Sequence, residues 1–460
     1  MKHRLGEKFE ALKQFTARNK ALTAYWLLFT GILLFQHTQG WNWDFLVYLM
    51  NGEYLFHSGF FMEWLRPPLA PFLMGLLQFV FSRTVTGYVY ILFSSAVFLY
   101  AVKKLSDAEG LDTLAMTVFV SAPAFISFAT REGTELLALA LLMLFLADLE
   151  KPRTGIWLGL SVLTRWTQGL MLPLILLQKD ARKIVKTGLL FGSVFVPWMI
   201  YSYMVVGDPL ASPVSFVTLN LLLGKLTTPP QLIHFLEITL PSLTVLLLAY
   251  REDVRSRLKA SVLEDRTSWA MIYIAAGTAF VYFASQITHL RYLFQLTLPV
   301  AYFAAKAWNE VDHQKLIYIF IAANLLLGFQ ASLNKGYESP NPYQRAAKNI
   351  NCMVESDSWV PLDYAGLNAE SPVDDNTTVE RLRNGWRVLD FTGGVIDSEK
   401  ERQVADLLRD KGAYRVYGIE GRCAEPVNSN TTRIDEYNTA HDTDYKETEF
   451  MIDLVLRKIS

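Results

Sequence analysis

The strongest constraint on this chain is a recurrence of apolar runs, each close to the length that crosses a bilayer. A spanning helix needs about 20 mostly apolar residues, because inside the hydrocarbon every backbone N–H and C=O must be satisfied within the segment itself. Runs at residues 21–40, 85–102, 111–129, 134–149, 184–205, 231–250, 268–285, 291–307 and 315–333 meet or approach that length, and 155–165 with 168–178 read as a short pair. Composition agrees: the chain is 52% hydrophobic and only 19% charged, and its mean hydropathy is +0.21. An α-helical polytopic membrane protein with about 11 transmembrane helices is the expected fold class. The first run has no small-residue cleavage site and no polar mature segment behind it, so it reads as a retained anchor.

Orientation follows from the basic residues, which collect in short cytoplasmic loops. With residues 1–20 inside, the inner segments hold those of the N-terminus together with Lys103, Lys104, Lys151, Arg153, Lys179, Arg182, Lys183, Lys186, Arg251, Arg255, Arg257, Lys259, Arg266, Lys306 and Lys315. The outer loops and span mouths before residue 334 hold only Arg66, Arg83, Arg131, Arg165, Lys225 and Arg291. This asymmetry predicts a multi-pass plasma-membrane protein with residues 1–20 cytoplasmic, a transmembrane region over 21–333 and an extracytoplasmic tail over 334–460. The net charge of -1 and the absence of basic residues interleaved with aromatics exclude nucleic acid as a partner.

The tail turns polar and reads as a small α/β domain: helix-like "NPYQRAAKNI", strand-like "SWVPLDYAG", a charged amphipathic helix "SEKERQVADLLRDKG", then "AYRVYGIEG" and a strand-like "EFMIDLVLRKI". It carries two N-x-T sequons, at Asn376 and Asn430, and both cysteines, Cys352 and Cys423. An extracytoplasmic location permits glycosylation of the first pair and a disulfide between the second. Two buried free thiols fit the sequence equally well.

Between the first two long runs lies "WNWDFLVYLMNGEYLFHSGFFMEWLRPPLAPF", too polar to span and too apolar for an ordinary loop. Within the outer loop 41–84, "PLAPFLMGLLQFVF" offers only a short apolar stretch, fit to lie along the interface as a helix. Crossing would invert every later loop and place the basic residues outside. On the same predicted face stand Asp44, Glu53, Glu63 and Arg66, then Arg131, Glu132 and Glu135, then Arg165, then His289 and Arg291. Ionisable residues at the mouths of apolar segments are costly and mark functional sites by default; snorkelling to headgroups is the plain alternative for each taken singly.

The segment "DFLVYLMNGEYLFHSG" followed by "RPPLAPFLMG" resembles the first outer loop of GT-C type membrane glycosyltransferases, in particular the protein O-mannosyltransferase and aminoarabinose-transferase branch. "SAPAFISFATREGTELLAL" is similar to that family's Pro-containing span and outer acidic residue, and "LTRWTQGLMLPL" resembles its short hairpin. "HLRYLFQLTLP" resembles its late Arg-Tyr-Leu segment. The likeness runs over residues 20–310 by order of elements. The chain departs from the pattern in having a single acid, Asp44, where some mannosyltransferases have two in a row, and in lacking a W-W-D motif in the tail.

The resemblance implies a dolichyl- or polyprenyl-phosphate-sugar donor and inverting transfer of a hexosyl or pentosyl group to a hydroxyl of a glycan, lipid or protein acceptor. Such chemistry needs a carboxylate to take the acceptor proton, the role that falls to Asp44, with Glu135 orienting the acceptor or Asp44. It also needs guanidinium groups at the departing phosphate, which Arg66 and Arg291 fit first and Arg165 and Arg131 next. Glu53, Glu63, His289 and Tyr292 are further substrate contacts in this reading. Glu135 also suits a helix N-terminus, Glu53 and Glu63 a water-facing surface, and the aromatics a membrane-interface belt. No cofactor is assigned, and one histidine without a neighbouring ligand gives no metal site. A secondary transporter of a polar or lipid-linked solute, or a glycolipid-binding protein without turnover, remain the rival readings.

Overall fold

The computed structural model describes residues 19–56, 62–131, 133–218, 231–248, 265–284, 289–310, 314–333, 338–372 and 374–425, together with residues 438, 444, 446 and 449. Glu132, Lys225, Asn430 and the segment "EFMIDLVLRKI" after its first residue, Glu449, lie outside the described residues. The chain is mainly helical and divides into two compact bodies.

The first body comprises Met1–Thr38, Tyr88–Trp198 and Leu219–Lys335. Helices Lys20–Thr38, Glu135–Ala147, Thr154–Thr164, Leu232–Leu248, Arg266–Ala284 and Ile317–Leu333 fall on apolar runs read from the sequence. Two helices, Arg83–Glu109 and Ala181–Val206, are each long and apolar enough on their own to cross a membrane.

Among the described residues, three runs depart from continuous α-helix by more than a single turn. The run at 111–129 is split into Thr113–Val120 and Pro123–Ile126, because Pro123 has no N–H to continue the ladder. Carbonyls at the break still find donors. The Asn324 amide donates to the Val118 carbonyl at 2.6 Å, and Gln36 donates to that of Ile126 at 2.9 Å. Neighbouring side chains thus satisfy what the break releases, as a water-free interior requires. Trp166–Leu177, which contains Pro173, is 3-10 throughout, and the run at 291–307 starts as 3-10 over Leu290–Leu296 before Thr297–Trp308. Gly155 and Gly159 form a G-x-x-x-G face, on which a Cβ at Gly159 would stand 3.0 Å from Val194 of helix Ala181–Val206. Small residues at this spacing let two helix backbones approach closely.

The second body comprises Gln39–Gly87, Met199–Thr218 and Gly336–Ser460. It holds the one sheet among the described residues, five short strands in the order β2-β1-β3-β5-β4: β1 Val354–Ser356, β2 Ala369–Glu370, β3 Arg387–Asp390, β4 Asp406–Asp410 and β5 Arg415–Gly418. β1 pairs in parallel with β2 and β3, while β5 is antiparallel to β3 and β4. "NPYQRAAKNI" is helical over Asn341–Asn349 as expected. "SWVPLDYAG" is instead a helix, Trp359–Tyr364; its contiguous apolar run buries Trp359, Val360 and Leu362 and has no alternation to favour a strand. "SEKERQVADLLRDKG" is helical only over Glu399–Val404, started by a Ser398–Glu401 capping box, and then extends as β4. Beneath the sheet Arg381 bridges Glu355 at 2.7 Å and Glu370 at 2.8 Å, all three buried.

Cys352 and Cys423 are joined in a disulfide that closes 71 residues of sequence. The loop-entropy account gives such a closure about 4 kcal/mol. Cys352→Ser is accordingly expected to lower the melting temperature of the purified protein by several degrees, and added reductant to do the same to wild type only. Equal melting of oxidised and reduced wild type would contradict this.

Candidate active site

In the second body the helix Trp43–Leu55 begins at Asn42, whose side chain accepts from the Phe45 backbone N–H at 3.3 Å. Asp44 therefore stands in the first turn, where the helix dipole favours a carboxylate. The chain returns through Glu63 and Arg66, and Asn51 fastens that return. Its amide donates to the Glu63 carbonyl at 3.1 Å and its carbonyl oxygen accepts from the Glu63 N–H at 3.0 Å. With both strands of the loop held, Arg66 Nη2 lies 2.7 Å from Asp44 and Arg66 Nε 2.6 Å from Glu63, with its guanidinium over the Tyr48 ring. Burial alone would push the Arg66 guanidinium down; the charges of Asp44 and Glu63 outweigh it and hold it above its ordinary value. The arrangement is a largely buried cation fixed between two carboxylates.

Pro67-Pro68 leads into helix Leu69–Gln78, which packs on Trp43–Leu55 at two glycines. A Cβ on Gly52 would meet the Pro71 carbonyl at 2.7 Å and Gly75 N at 2.8 Å. Ten residues rise about 15 Å, half the hydrocarbon thickness, so this helix is too short to span. Phe72, Leu76, Phe79 and Val80 are exposed on it and beyond its end.

Glu53, read from the sequence as a substrate contact or else a water-facing acid, does not face water. It is buried and engages Arg83 through both oxygens, one of them at 2.6 Å. Arg83 also donates to the Tyr364 carbonyl at 3.3 Å. The sequence had given Arg83 no partner; a cation at a span mouth, one loop away from an acid in an apolar helix, was the available signal. Trp41 bridges Glu338 backbone to backbone and stacks on Tyr343, while Trp43 meets Trp359 edge to face. The loop that carries Asp44 is thereby packed on the residues of the tail.

Asp363 lies beside this ion pair. Burial raises its carboxyl to about 7, with Arg83 opposing the rise and Glu53 adding to it. The unfolded chain releases that proton near pH 4, whereas the folded protein keeps it to about pH 7, so stability declines as pH rises between those values. Asp363→Asn is expected to flatten the melting profile of the purified protein between pH 4 and 7 and to raise melting at pH 8 by a few degrees. Parallel profiles for variant and wild type would rule this out.

The first body holds a second cluster. Gly133 adopts φ +103° and its carbonyl accepts from Tyr90 Oη at 2.8 Å, while the Leu136 N–H bonds back to the Ala129 carbonyl at 2.9 Å. This tight turn carries Arg131 and delivers Glu135 into the first turn of its helix, fully buried. Arg165 caps the C-terminal end of Thr154–Thr164 and donates to Glu135 at 2.6 Å. Its guanidinium lies over the Phe294 ring, 4.9 Å from the centroid, and over Tyr292 at 5.6 Å. Arg291 lies over the same Tyr292 ring, also at 5.6 Å. His289 is exposed at the start of the 3-10 segment, its ring 6.5 Å from that of Tyr292. Among the described residues no three His, Cys, Asp or Glu side chains converge as a metal site would require.

Candidate residues read from the sequence thus gather into Asp44, Glu63 and Arg66 in one body, and Glu135, Arg165, Tyr292 and Arg291 in the other. Tyr48, Asn51 and Phe294, which complete these clusters, had no sequence signal beyond belonging to aromatic or polar stretches. Asn376 is exposed in helix Asp375–Arg383.

No protein-family model matches the chain, and no curated protein matches it. Solved structures do. ArnT from Cupriavidus metallidurans bound to undecaprenyl phosphate superposes with a TM-score of 0.61 at 10% identity, over 90% of this chain and 100% of that one. ArnT from the same organism in the apo state gives 0.58 at 11% identity, over 88% and 100%.

Proposed function

We propose, for a chain that has the GT-C fold of membrane glycosyltransferases, that it moves a sugar from a polyprenyl- or dolichyl-phosphate donor to an acceptor hydroxyl on the extracytoplasmic face. The observation that carries the reading is a fold shared along nearly the whole chain with ArnT, one of whose structures holds undecaprenyl phosphate. The Asp44–Arg66–Glu63 cluster supports it. In this reading the donor is lipid-linked, the acceptor is a glycan, lipid or protein, and the tail beyond residue 334 faces outward as a small α/β domain.

Roles are proposed body by body. The acceptor oxygen attacks the anomeric carbon as the bond to the phosphate oxygen breaks, with inversion. Asp44 takes the acceptor proton, and Arg66 both aims that carboxylate and offsets charge on the departing phosphate, where two donors in a rigid fork match two oxygens. In the first body Glu135 fixes Arg165, and Arg165 and Arg291 are proposed to meet anionic groups of the donor. Arg131 is proposed as a further contact to the donor phosphate and His289 as a substrate contact. Helix Leu69–Gln78 lies in the interface with Phe72, Leu76 and Phe79 toward lipid.

Deletion of the gene tests the reading in cells. A lipid-phosphate sugar is expected to accumulate while one envelope glycan loses a residue, both restored by wild type. Unchanged lipid-linked sugars and unchanged glycans in the deletion strain would defeat it.

A further inference from the structure

The sheet of the second body carries a polar cleft of about 300 Å³ that the transfer chemistry leaves unused. It is lined by Asn349, Asn351, Arg387, Arg409, Tyr414 and Glu420, with Cys352 of the disulfide in its wall. Two arginines and one glutamate thus line the same cleft. No ion pair joins Arg387, Arg409 or Glu420 to another described residue. Arg387 donates to the Ile419 carbonyl at 2.8 Å, and burial pushes its guanidinium down.

The backbone makes room for that arginine. Arg387 begins β3 and lies across Gly418 at the end of β5, where a Cβ would come within 2.8 Å of Arg387 Cδ and collide with the guanidinium itself. Tyr414 closes the floor, its ring packed on Phe391 at 5.2 Å. A half-buried cation held in no ion pair carries a desolvation cost that a bound anion offsets. Holding one beside a second guanidinium, two amides and a phenol yields an anion site with hydrogen-bonding groups around it.

We infer that this cleft binds an acidic saccharide, the Arg387 and Arg409 guanidinium groups taking its phosphate or carboxylate and Asn349, Asn351 and Tyr414 its hydroxyls. The volume lies at the small end of ligand sites and suits a single sugar unit. The inference does not rest on the transfer reaction, so failure of either leaves the other standing.

Arginine-selective labelling with phenylglyoxal, read peptide by peptide on the purified full-length protein, tests it. Millimolar glucose 6-phosphate, glucuronate and neutral glucose serve as ligands. Either acid is expected to slow labelling of Arg387 and Arg409 several-fold, with no effect on Arg402, and glucose to leave all three unchanged; the better protector identifies the anion. Arg387→Gln is expected to abolish protection of Arg409, and Gly418→Val, which displaces the arginine without removing its charge, to weaken it. Equal protection by glucose, equal protection of Arg402, or no protection by either acid would overturn the inference.

Discussion

Asp44→Asn is expected to lower the rate of sugar transfer by about 10²–10⁴-fold, the range for loss of a positioned general base. The melting temperature should fall by no more than a few degrees. Asparagine keeps the size of the side chain and can still accept from Arg66, while Glu63 continues to hold the guanidinium at its other edge. What is lost is the capacity to accept a proton. Arg66→Lys separates orientation from charge. A single ammonium cannot occupy the positions of Nη2 at Asp44 and Nε at Glu63 together, so the variant should retain part of the binding of a lipid phosphate and lose most of the rate. Transfer by Asp44→Asn at the wild-type rate would remove Asp44 from the chemistry, whatever the fate of the fold.

The second large effect concerns Glu135 and Arg165. Glu135 is fully buried, and its partner lies against aromatic rings. Breaking a buried pair from one side strands the other charge and costs about 3–5 kcal/mol. Glu135→Leu and Arg165→Met should therefore each destabilise the purified protein strongly, while the double variant recovers most of the loss because neither charge remains. The double variant then isolates function from folding. If Arg165 meets the donor, the restored protein stays inactive; restored stability with wild-type transfer would make the pair purely structural. Additive losses in the double variant would show that the two side chains do not act as a pair at all.

Much of this molecule was legible in its sequence for a simple reason. Hydrocarbon imposes one requirement, that a segment satisfy its own backbone, and apolar runs such as 21–40 and 134–149 can meet it only as helix. Departures from helix were not legible, because they depend on donors far away in the chain. The break after Val120 needs Asn324, and no local pattern announces a partner about two hundred residues on. The tail was harder still. "SWVPLDYAG" is a short contiguous apolar run that the sequence reading took for a strand and burial made a helix, while "ADLLRDKG" leaves its helix to pair with β5, a partner that no local pattern announces. Among the candidate residues, charge at a span mouth marked which side chains mattered but not which pairs they formed. Glu53 took Arg83, and the Asp44–Arg66 pair depends on the Asn51 bonds that fold the loop back.

Transfer by the purified protein tests the central claim most directly. With radiolabelled polyprenyl-phosphate sugars and an envelope extract as acceptor, wild type is expected to move label from lipid to product with inversion at the anomeric carbon, and Asp44→Asn to leave it on the lipid. Label that remains lipid-bound with wild type across the available sugar donors, or that moves equally with Asp44→Asn, would contradict the account.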